Sequence, residues 1–460
     1  MVQDGSVGSH HLLPLPPSRY PSTFSFYFIM KTTAAILSLG ALALAAPTQE
    51  TQGTKVEYSR KRHEHQKRED GSVDTQWFLG NFKKTLLKYD SNFELPNALQ
   101  NVPAILKRDT NANEPLTDQS QDGLDSLYYG AGQVNTQTFT FDFDTGSSDT
   151  FVPGPTCGTQ QGCVGKTKYN ERGVDRGNTT SITYGSGQVT GENYLDDVTI
   201  AGLTATRQNV ISLTQAEGFA NSASDGLMGM AFQSIANSKS SPYFFTLVDQ
   251  GKVSPSEFSF YLGRAKSNTG GKSEMTLGGR DSSRYTGSFT PVPVSSQTYW
   301  QVPIDGVTVN KNAALPTTAG QAAIDTGTTL IIAPNAAALS IFSQIPGSVP
   351  LPLGGAVTLF AYPCASKPTV NLKFAGKSFA VNPLDLNFGR LTDDLGLDLS
   401  GLPVLGDLAG GLYCLAGIAG ADFRPGENFY IVGDTFLKNW YSTYEYQSPS
   451  KAFVNFAKAV

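Results

Sequence analysis

The chain has 460 residues, 39% hydrophobic and 16% charged, with 47 Gly and 26 Pro, which suits at least one large core and excludes disorder, collagen and coiled coil. From Asp109 to Val460, 352 residues carry 21 Lys and Arg against 30 Asp and Glu, a net charge of −9 that argues against a nucleic-acid surface. All four histidines (His10, His11, His63, His65) fall in the first 65 residues, so the remainder has no imidazole for Ser-His-Asp or Cys-His catalysis or for the usual zinc sites.

Residues 1–29, with Pro14, Pro16, Pro17 and Pro21, do not resemble the short basic start of a secretory signal and read as an upstream extension. Met30-Lys31 then opens an apolar run, Thr32 to Ala46, closed by the small-x-small site Ala43-Leu44-Ala45. This predicts a signal peptide over 30–45, since a run of about 15 residues is too short for a bilayer that needs about 20. The C-terminus Phe456-Ala457-Lys458-Ala459-Val460 has no hydrophobic tail of the lipid-anchor kind. The expected product is soluble and monomeric, bound to neither membrane nor nucleic acid, and secreted to the cell exterior, with the vacuolar lumen as the alternative.

Residues 46–108 hold 11 Lys and Arg against 8 Asp and Glu and include the dibasic pairs Lys61-Arg62, Lys67-Arg68 and Lys107-Arg108. They predict a removable basic propeptide, with the mature chain starting at the polar stretch Asp109 to Asp122.

Beyond it, short runs of Val, Ile, Thr, Phe and Tyr in rough alternation, broken by Gly, Asn, Ser and Pro, predict an all-β chain. Helical candidates are few and short, such as Tyr243 to Gln250 and Pro334 to Ile345. Four cysteines remain, none in a C-x-x-C arrangement. Of three connectivities, Cys157 with Cys163 and Cys364 with Cys414 keep each bridge inside one half of the chain.

An internal repeat organises that chain. Phe141-Asp142-Phe143-Asp144-Thr145-Gly146-Ser147-Ser148 is echoed by Ala322-Ala323-Ile324-Asp325-Thr326-Gly327-Thr328-Thr329. Gly226-Leu227-Met228-Gly229 and Tyr430-Ile431-Val432-Gly433 follow, at 85 residues from Asp144 to Gly229 and 108 from Asp325 to Gly433. Two similar β lobes are implied, 109–305 and 306–460, each presenting one carboxylate on a tight loop above the cleft between them.

Asp144 and Asp325, facing each other across that cleft, could not both ionise comfortably and would share one proton over a wide acidic range. One carboxylate could then take a proton from water while the other donates to a carbonyl oxygen, hydrolysing an amide without a covalent intermediate. Gly146 and Gly327 permit the tight turn, Thr145 and Thr326 can cross-link the loops, and Ser147 and Thr328 can donate to the outer carboxylate oxygens. This chemistry requires neither a metal nor an organic cofactor.

On these loops the sequence resembles the pepsin-like aspartic proteases of the secreted fungal kind over Tyr128 to Val460. The resemblance implies the bilobal acid-protease fold, polypeptide substrates, and Asp144 and Asp325 as the catalytic dyad. It identifies Ile182-Thr183-Tyr184-Gly185-Ser186-Gly187 with the flap, a hairpin closing over the substrate. Tyr184, Gly185 and Ser186, with Gly146, Gly327, Thr328 and Phe151, form the expected substrate-binding set. The alternation around Gly185-Ser186-Gly187 independently predicts a hairpin.

Three features depart from the family. Phe151 stands where a tryptophan usually bonds the flap tyrosine. The segment Tyr128 to Gln137 is short and lacks the Gly-Thr-Pro turn, so either residues are lost or the strand is rebuilt. Asp385 to Leu412 is a long Leu-, Gly- and Asp-rich stretch, expected to be a surface loop.

Apolar residues are expected around the cut bond from Tyr184, Phe151 and Ile332, and Ser186, where some relatives carry Asp, predicts weak cleavage after lysine. The family's propeptide lysine, which pairs with both aspartates, is matched to Lys88, beside Tyr89, with Lys83 and Lys84 as alternatives. That makes the propeptide an inhibitor of its own enzyme, released on acidification by self-cleavage or by cutting at Lys107-Arg108. Asn178-Thr179-Thr180 is the only glycosylation match. Two other functions fit less well: a glycoside hydrolase, whose two carboxyls normally occupy dissimilar environments, and a catalytically impaired homologue that binds peptide or glycan.

Overall fold

The computed structural model describes residues 53–60, 71–102 and 128–460, apart from 164, 185–186, 218–223, 265–272, 311, 313–317, 356, 392–409 and 425. The upstream extension, the signal segment, the dibasic pairs, Asp109 to Asp122, the flap residues Gly185 and Ser186 and most of Asp385 to Leu412 lie outside the described residues.

The fold is all-β, in two related lobes, as expected from β-branched and aromatic runs that pack well on pleated surfaces. In the first half, the strand Gln137–Asp144 pairs in parallel with Gly226–Gly229, and Thr150–Pro153 pairs antiparallel with the same strand. The second half repeats the arrangement: Gly320–Ile324 runs parallel to Phe429–Val432, with Ile331–Ala333 antiparallel to it. The motif pairs separated by 85 and 108 residues are thus neighbouring strands, each gripping the strand that ends in an aspartate.

The C-terminal hairpin crosses back. Trp440–Ser448 pairs with Glu257–Tyr261, and Lys451–Ala459 with Tyr285–Pro293, joining the sheet of the first half. Phe258 stacks on Tyr444 at 4.8 Å between ring centroids, so the crossover is sealed by aromatic burial.

The short first strand is rebuilt as a full hairpin. Tyr128–Val134 pairs with Gln137–Asp144 from Tyr129↔Asp142 to Val134↔Gln137. Asn135, at φ 55°, makes the turn without Gly-Thr-Pro, since Asn tolerates the left-handed region. The two expected helices form at Tyr243–Asp249 and Asn335–Phe342, each beginning just after a proline, Pro242 and Pro334. Both cysteine pairs bridge as expected, Cys157 with Cys163 and Cys364 with Cys414.

Two pieces of the basic segment are built into this body. The strand Thr54–Arg60 lies between Glu274–Leu277 and Tyr128–Val134, pairing with both, and Lys55 forms an ion pair with Asp281 at 2.5 Å. The helix Thr75–Tyr89 starts at Asp74, whose carboxylate accepts from the Trp77 amide at 3.0 Å. Phe78, Phe82 and Leu86, spaced four apart, put one face of the helix into an apolar cluster with Leu330, Ile332, Phe388 and Leu415 of the second half. Among the described residues no helix is long and apolar enough to cross a membrane.

Candidate active site

Period-two alternation delivers the first aspartate. Phe139, Phe141 and Phe143 point into the core, which leaves Asp142 and Asp144 on the opposite face of the strand. The Met230 amide donates to the Asp144 carbonyl at 2.8 Å, and the buried Trp300 indole donates to the Met230 carbonyl at 2.9 Å, so the strand end is fixed from behind. Asp325 is held at its own amide, which donates to the Val432 carbonyl at 3.0 Å.

The two loops meet with near-twofold symmetry. The Thr326 amide donates to Thr145 Oγ1 at 3.0 Å and the Thr145 amide to Thr326 Oγ1 at 3.1 Å. Each threonine hydroxyl then donates across the interface, Thr145 to the Ile324 carbonyl at 2.8 Å and Thr326 to the Phe143 carbonyl at 2.7 Å. The inner oxygen of each aspartate accepts from the amide two residues on, Gly146 at 2.8 Å and Gly327 at 2.9 Å. The outer oxygens accept from Ser147 at 2.6 Å and Thr328 at 2.5 Å.

Why both positions need glycine is also clear. A Cβ at Gly146 would lie 2.5 Å from the inner oxygen of Asp325 and 2.6 Å from Lys88 Nζ, and one at Gly327 would collide with the carboxylate of Asp144. The missing side chain of each loop is the space that the opposing carboxylate occupies.

Between the carboxylates sits Lys88, from the last turn of the helix Thr75–Tyr89. Its Nζ donates to Asp144 Oδ1 at 2.8 Å and to Asp325 Oδ1 and Oδ2 at 3.1 and 2.9 Å. One nitrogen atom therefore reaches both inner oxygens, a position that a single water could fill in its place. Tyr89 donates its hydroxyl to Asp325 Oδ2 at 3.0 Å. The alternatives lie elsewhere: Lys83 donates to the carbonyls of Gln100 and Val102, at 3.0 and 2.9 Å, and Lys84 interacts electrostatically with Asp142.

The carboxyls titrate apart. Burial works to raise Asp144, but the Lys88 ammonium and the hydrogen bonds it receives outweigh that and hold it below the usual carboxylate range. At Asp325 burial dominates and the charge of Asp144 reinforces it, so this group lies above the usual range despite Lys88. Burial alone would lower the Lys88 amine, yet the two carboxylates reverse this and raise it.

Three features escaped the sequence reading. Asp142 is 4% exposed, and its Oδ1 has no hydrogen-bond partner among the described residues. Burial, then the charge of Asp144, pushes its carboxyl up to about 7 against the pull of Lys84 and Lys88, so it is neutral in acid. The available signal was an acid two residues before Asp144, on the same strand face. The second feature is an aromatic nest, with Tyr89 packed on Tyr299 at 4.8 Å and on Phe423 and Phe429 at 6.0 Å. Its members come from distant loops, and no local pattern announces it. The third is the strand Thr54–Arg60, whose Lys and Glu residues mask its alternation.

The hairpin proposed as the flap is formed by Val174–Tyr184 and Gly187–Ile200 in antiparallel register up to Tyr184↔Gly187. Phe151 is buried behind it, in an apolar cluster with Ile182 and Val189 of the hairpin and with Cys157 and Cys163. Ile332 is buried in the cluster that receives the helix Thr75–Tyr89. Asn178 is exposed on the hairpin's first strand, its carbonyl accepting from Asn193 at 3.0 Å.

Comparison with known proteins agrees with this geometry. The sequence profile described as "Eukaryotic aspartyl protease" matches residues 128–459. The chain is 33% identical over 447 residues to an "Aspartic protease" of Phaffia rhodozyma, covering 94% of this chain and 100% of the relative. It is 31% identical over 465 residues to "Major aspartyl peptidase 1" of Cryptococcus neoformans var. grubii, covering 94% and 89%. To "Cathepsin D" of Clupea harengus it is 31% identical over 359 residues, covering 76% and 85%. Two matched Asp-Thr-Gly loops in a repeated β framework, with relatives aligned along nearly the whole chain, place this protein in the eukaryotic aspartyl protease family as an aspartic-type endopeptidase acting on polypeptides.

Proposed function

We propose that the protein is a secreted acid endopeptidase made as a zymogen, in which Asp144 and Asp325 are the catalytic dyad and residues 46–108 are a propeptide that inhibits it. The observation that carries this reading is Lys88, whose single nitrogen contacts both inner carboxylate oxygens. Cleavage at Lys107-Arg108 frees the segment, and a water takes the position of the ammonium.

The ionised carboxylate accepts a proton from that water as its oxygen attacks the scissile carbonyl carbon. The protonated carboxyl gives its hydrogen to the carbonyl oxygen, leaving a neutral tetrahedral diol. When the C–N bond breaks, the amine nitrogen takes up the dyad's proton while one hydroxyl of the diol gives its own to the other carboxylate, so the products leave as a carboxylic acid and an amine and the pair again holds one shared proton. The flap, with Tyr184, Gly185 and Ser186 near its tip, holds the peptide as an added strand and excludes bulk water. The Thr145 and Thr326 cross-links keep the loops rigid so that little reorganisation is needed.

The nest occupied by Tyr89 supports a preference for apolar and aromatic residues beside the cut bond. Exposure of Asn178 supports glycosylation there. The extracellular space is the favoured compartment, with the vacuolar lumen as the alternative: one relative at 32% identity carries the name "Probable vacuolar protease A".

The test is cleavage of denatured globin at acidic pH by the matured protein, with and without a peptide carrying a statine hydroxyl at the scissile position. Cleavage at apolar sites, sparse after lysine and abolished by the statine peptide, is expected. Absence of inhibitable cleavage would favour the peptide- or glycan-binding homologue.

A further inference from the structure

The mature region is acidic, yet three basic side chains gather at the far end of the hairpin from its tip. Arg176, Arg207 and Lys239 line one depression of about 280 Å³, together with Asn209, Ser240 and Ser241. None of the described residues lining it is Asp or Glu. Arg176 donates through one terminal nitrogen to Asn209 Oδ1 and Ser240 Oγ, both at 2.6 Å. These acceptors are neutral, so they orient the guanidinium without cancelling its charge.

Two carboxylates flank the site, each accepting from a backbone amide. Asp175 accepts from the Gly177 amide at 2.7 Å, and Asp197 from the Arg207 amide at 3.1 Å. Among the described residues none of the three basic side chains forms an ion pair. The backbone also directs two of them, with Arg207 at φ 54° and Lys239 at φ 58°, in the left-handed region that residues with side chains rarely adopt. Arg207 is held there by Asp197, and Lys239 by its amide donating to the Ala236 carbonyl at 3.2 Å.

Three cations that form no ion pair among the described residues, set around one concave site, suit the recognition of a tetrahedral oxyanion. A guanidinium offers two parallel N–H groups to two oxygens, and an ammonium adds a point charge. We infer that this depression binds a phosphate group, either as free phosphate or as the phosphate of a small phosphomonoester. Arg and Lys keep their charge in acid, so the site works where the peptidase does. Its position at the base of the hairpin separates it from the dyad, so peptide cleavage does not require its occupancy.

The experiment titrates sodium phosphate into the matured protein at pH 5.5, against sodium chloride of equal ionic strength. It follows the thermal unfolding midpoint and the broadening of the phosphate phosphorus resonance. Saturable binding in the millimolar range is expected for phosphate and none for chloride. A variant carrying Arg176→Gln, Arg207→Gln and Lys239→Gln should bind at least about tenfold more weakly, while its cleavage of globin is unchanged. The exposed single variant Lys239→Gln, which leaves the Arg176 contacts intact, should weaken binding several-fold and covers the case in which the triple variant does not fold. Tighter binding of O-phosphoserine than of phosphate would identify the ester as the ligand, and equal or weaker binding the free anion. No saturable binding, or binding undiminished in the variants, would overturn the inference.

Discussion

Asp144→Asn lowers kcat/KM of the matured enzyme by at least about 10³-fold while the protein stays folded. Asn has the shape of Asp, so its carbonyl oxygen can still accept from the Gly146 amide, and its amide group can donate to Ser147. The variant loses a group able to cycle between carboxylate and carboxyl, and with it one half of the proton exchange. Asp325→Asn should cost a similar factor, and the double variant little more, because the pair acts as a unit. Steady-state kinetics on one peptide substrate, with circular dichroism as a control for folding, measures this. Retention of a tenth of the activity in either variant would be incompatible with the roles proposed for the dyad.

Lys88→Met should unlatch the precursor. The Lys88 side chain is only 5% exposed, its ammonium between two buried carboxylates, and removing one partner from such a cluster costs about 3–5 kcal/mol, because the remaining charges are left uncompensated. A propeptide fragment carrying the change should inhibit the matured enzyme about 10²- to 10⁴-fold more weakly. The helix face of Phe78, Phe82 and Leu86 still docks, so binding weakens without vanishing.

The pH dependence has a definite sign. The Asp144 carboxyl is depressed by Lys88, so the latch it contributes is present above the ordinary carboxylate value and is lost as pH falls toward the depressed one. Asp325 is shifted the other way and opposes this. Release of the proposed propeptide on acidification would therefore run through Asp144. In Lys88→Met this acid-driven component should disappear, and a statine peptide should bind the variant precursor at pH 6.5 to 7 but not the wild type. Equal inhibition by the wild-type and variant fragments across that range would rule the latch out.

Much of the site could be read before any coordinates, because its signals are local. Asp-Thr-Gly followed by hydroxyl residues is a turn whose hydrogen bonds are made within four residues, and its repetition marks the second copy. The dyad and its glycines follow from patterns of that length, whereas the disulfides follow from keeping each bridge within one half of the chain and Lys88, with Lys83 and Lys84 as alternatives, from the family resemblance. What remained hidden depends on strands and loops distant in sequence. Nothing near Trp440–Ala459 reveals that it pairs with strands of the first half, since edge pairing is set by the assembled sheet. The burial of Asp142 and the nest of Tyr299, Phe423 and Phe429 likewise arise only when separate segments meet. The rebuilt first hairpin was visible as an anomaly, and it was the tolerance of Asn135 for a left-handed backbone that resolved it.

The central claim is that one proton is shared between Asp144 and Asp325, and the pH dependence of kcat/KM for the matured enzyme tests it most directly. The account predicts a bell with both limbs on the acid side of neutrality, because one carboxyl must be ionised and the other protonated. A profile that climbs to a plateau at neutral pH and above, with no descending limb, would contradict it.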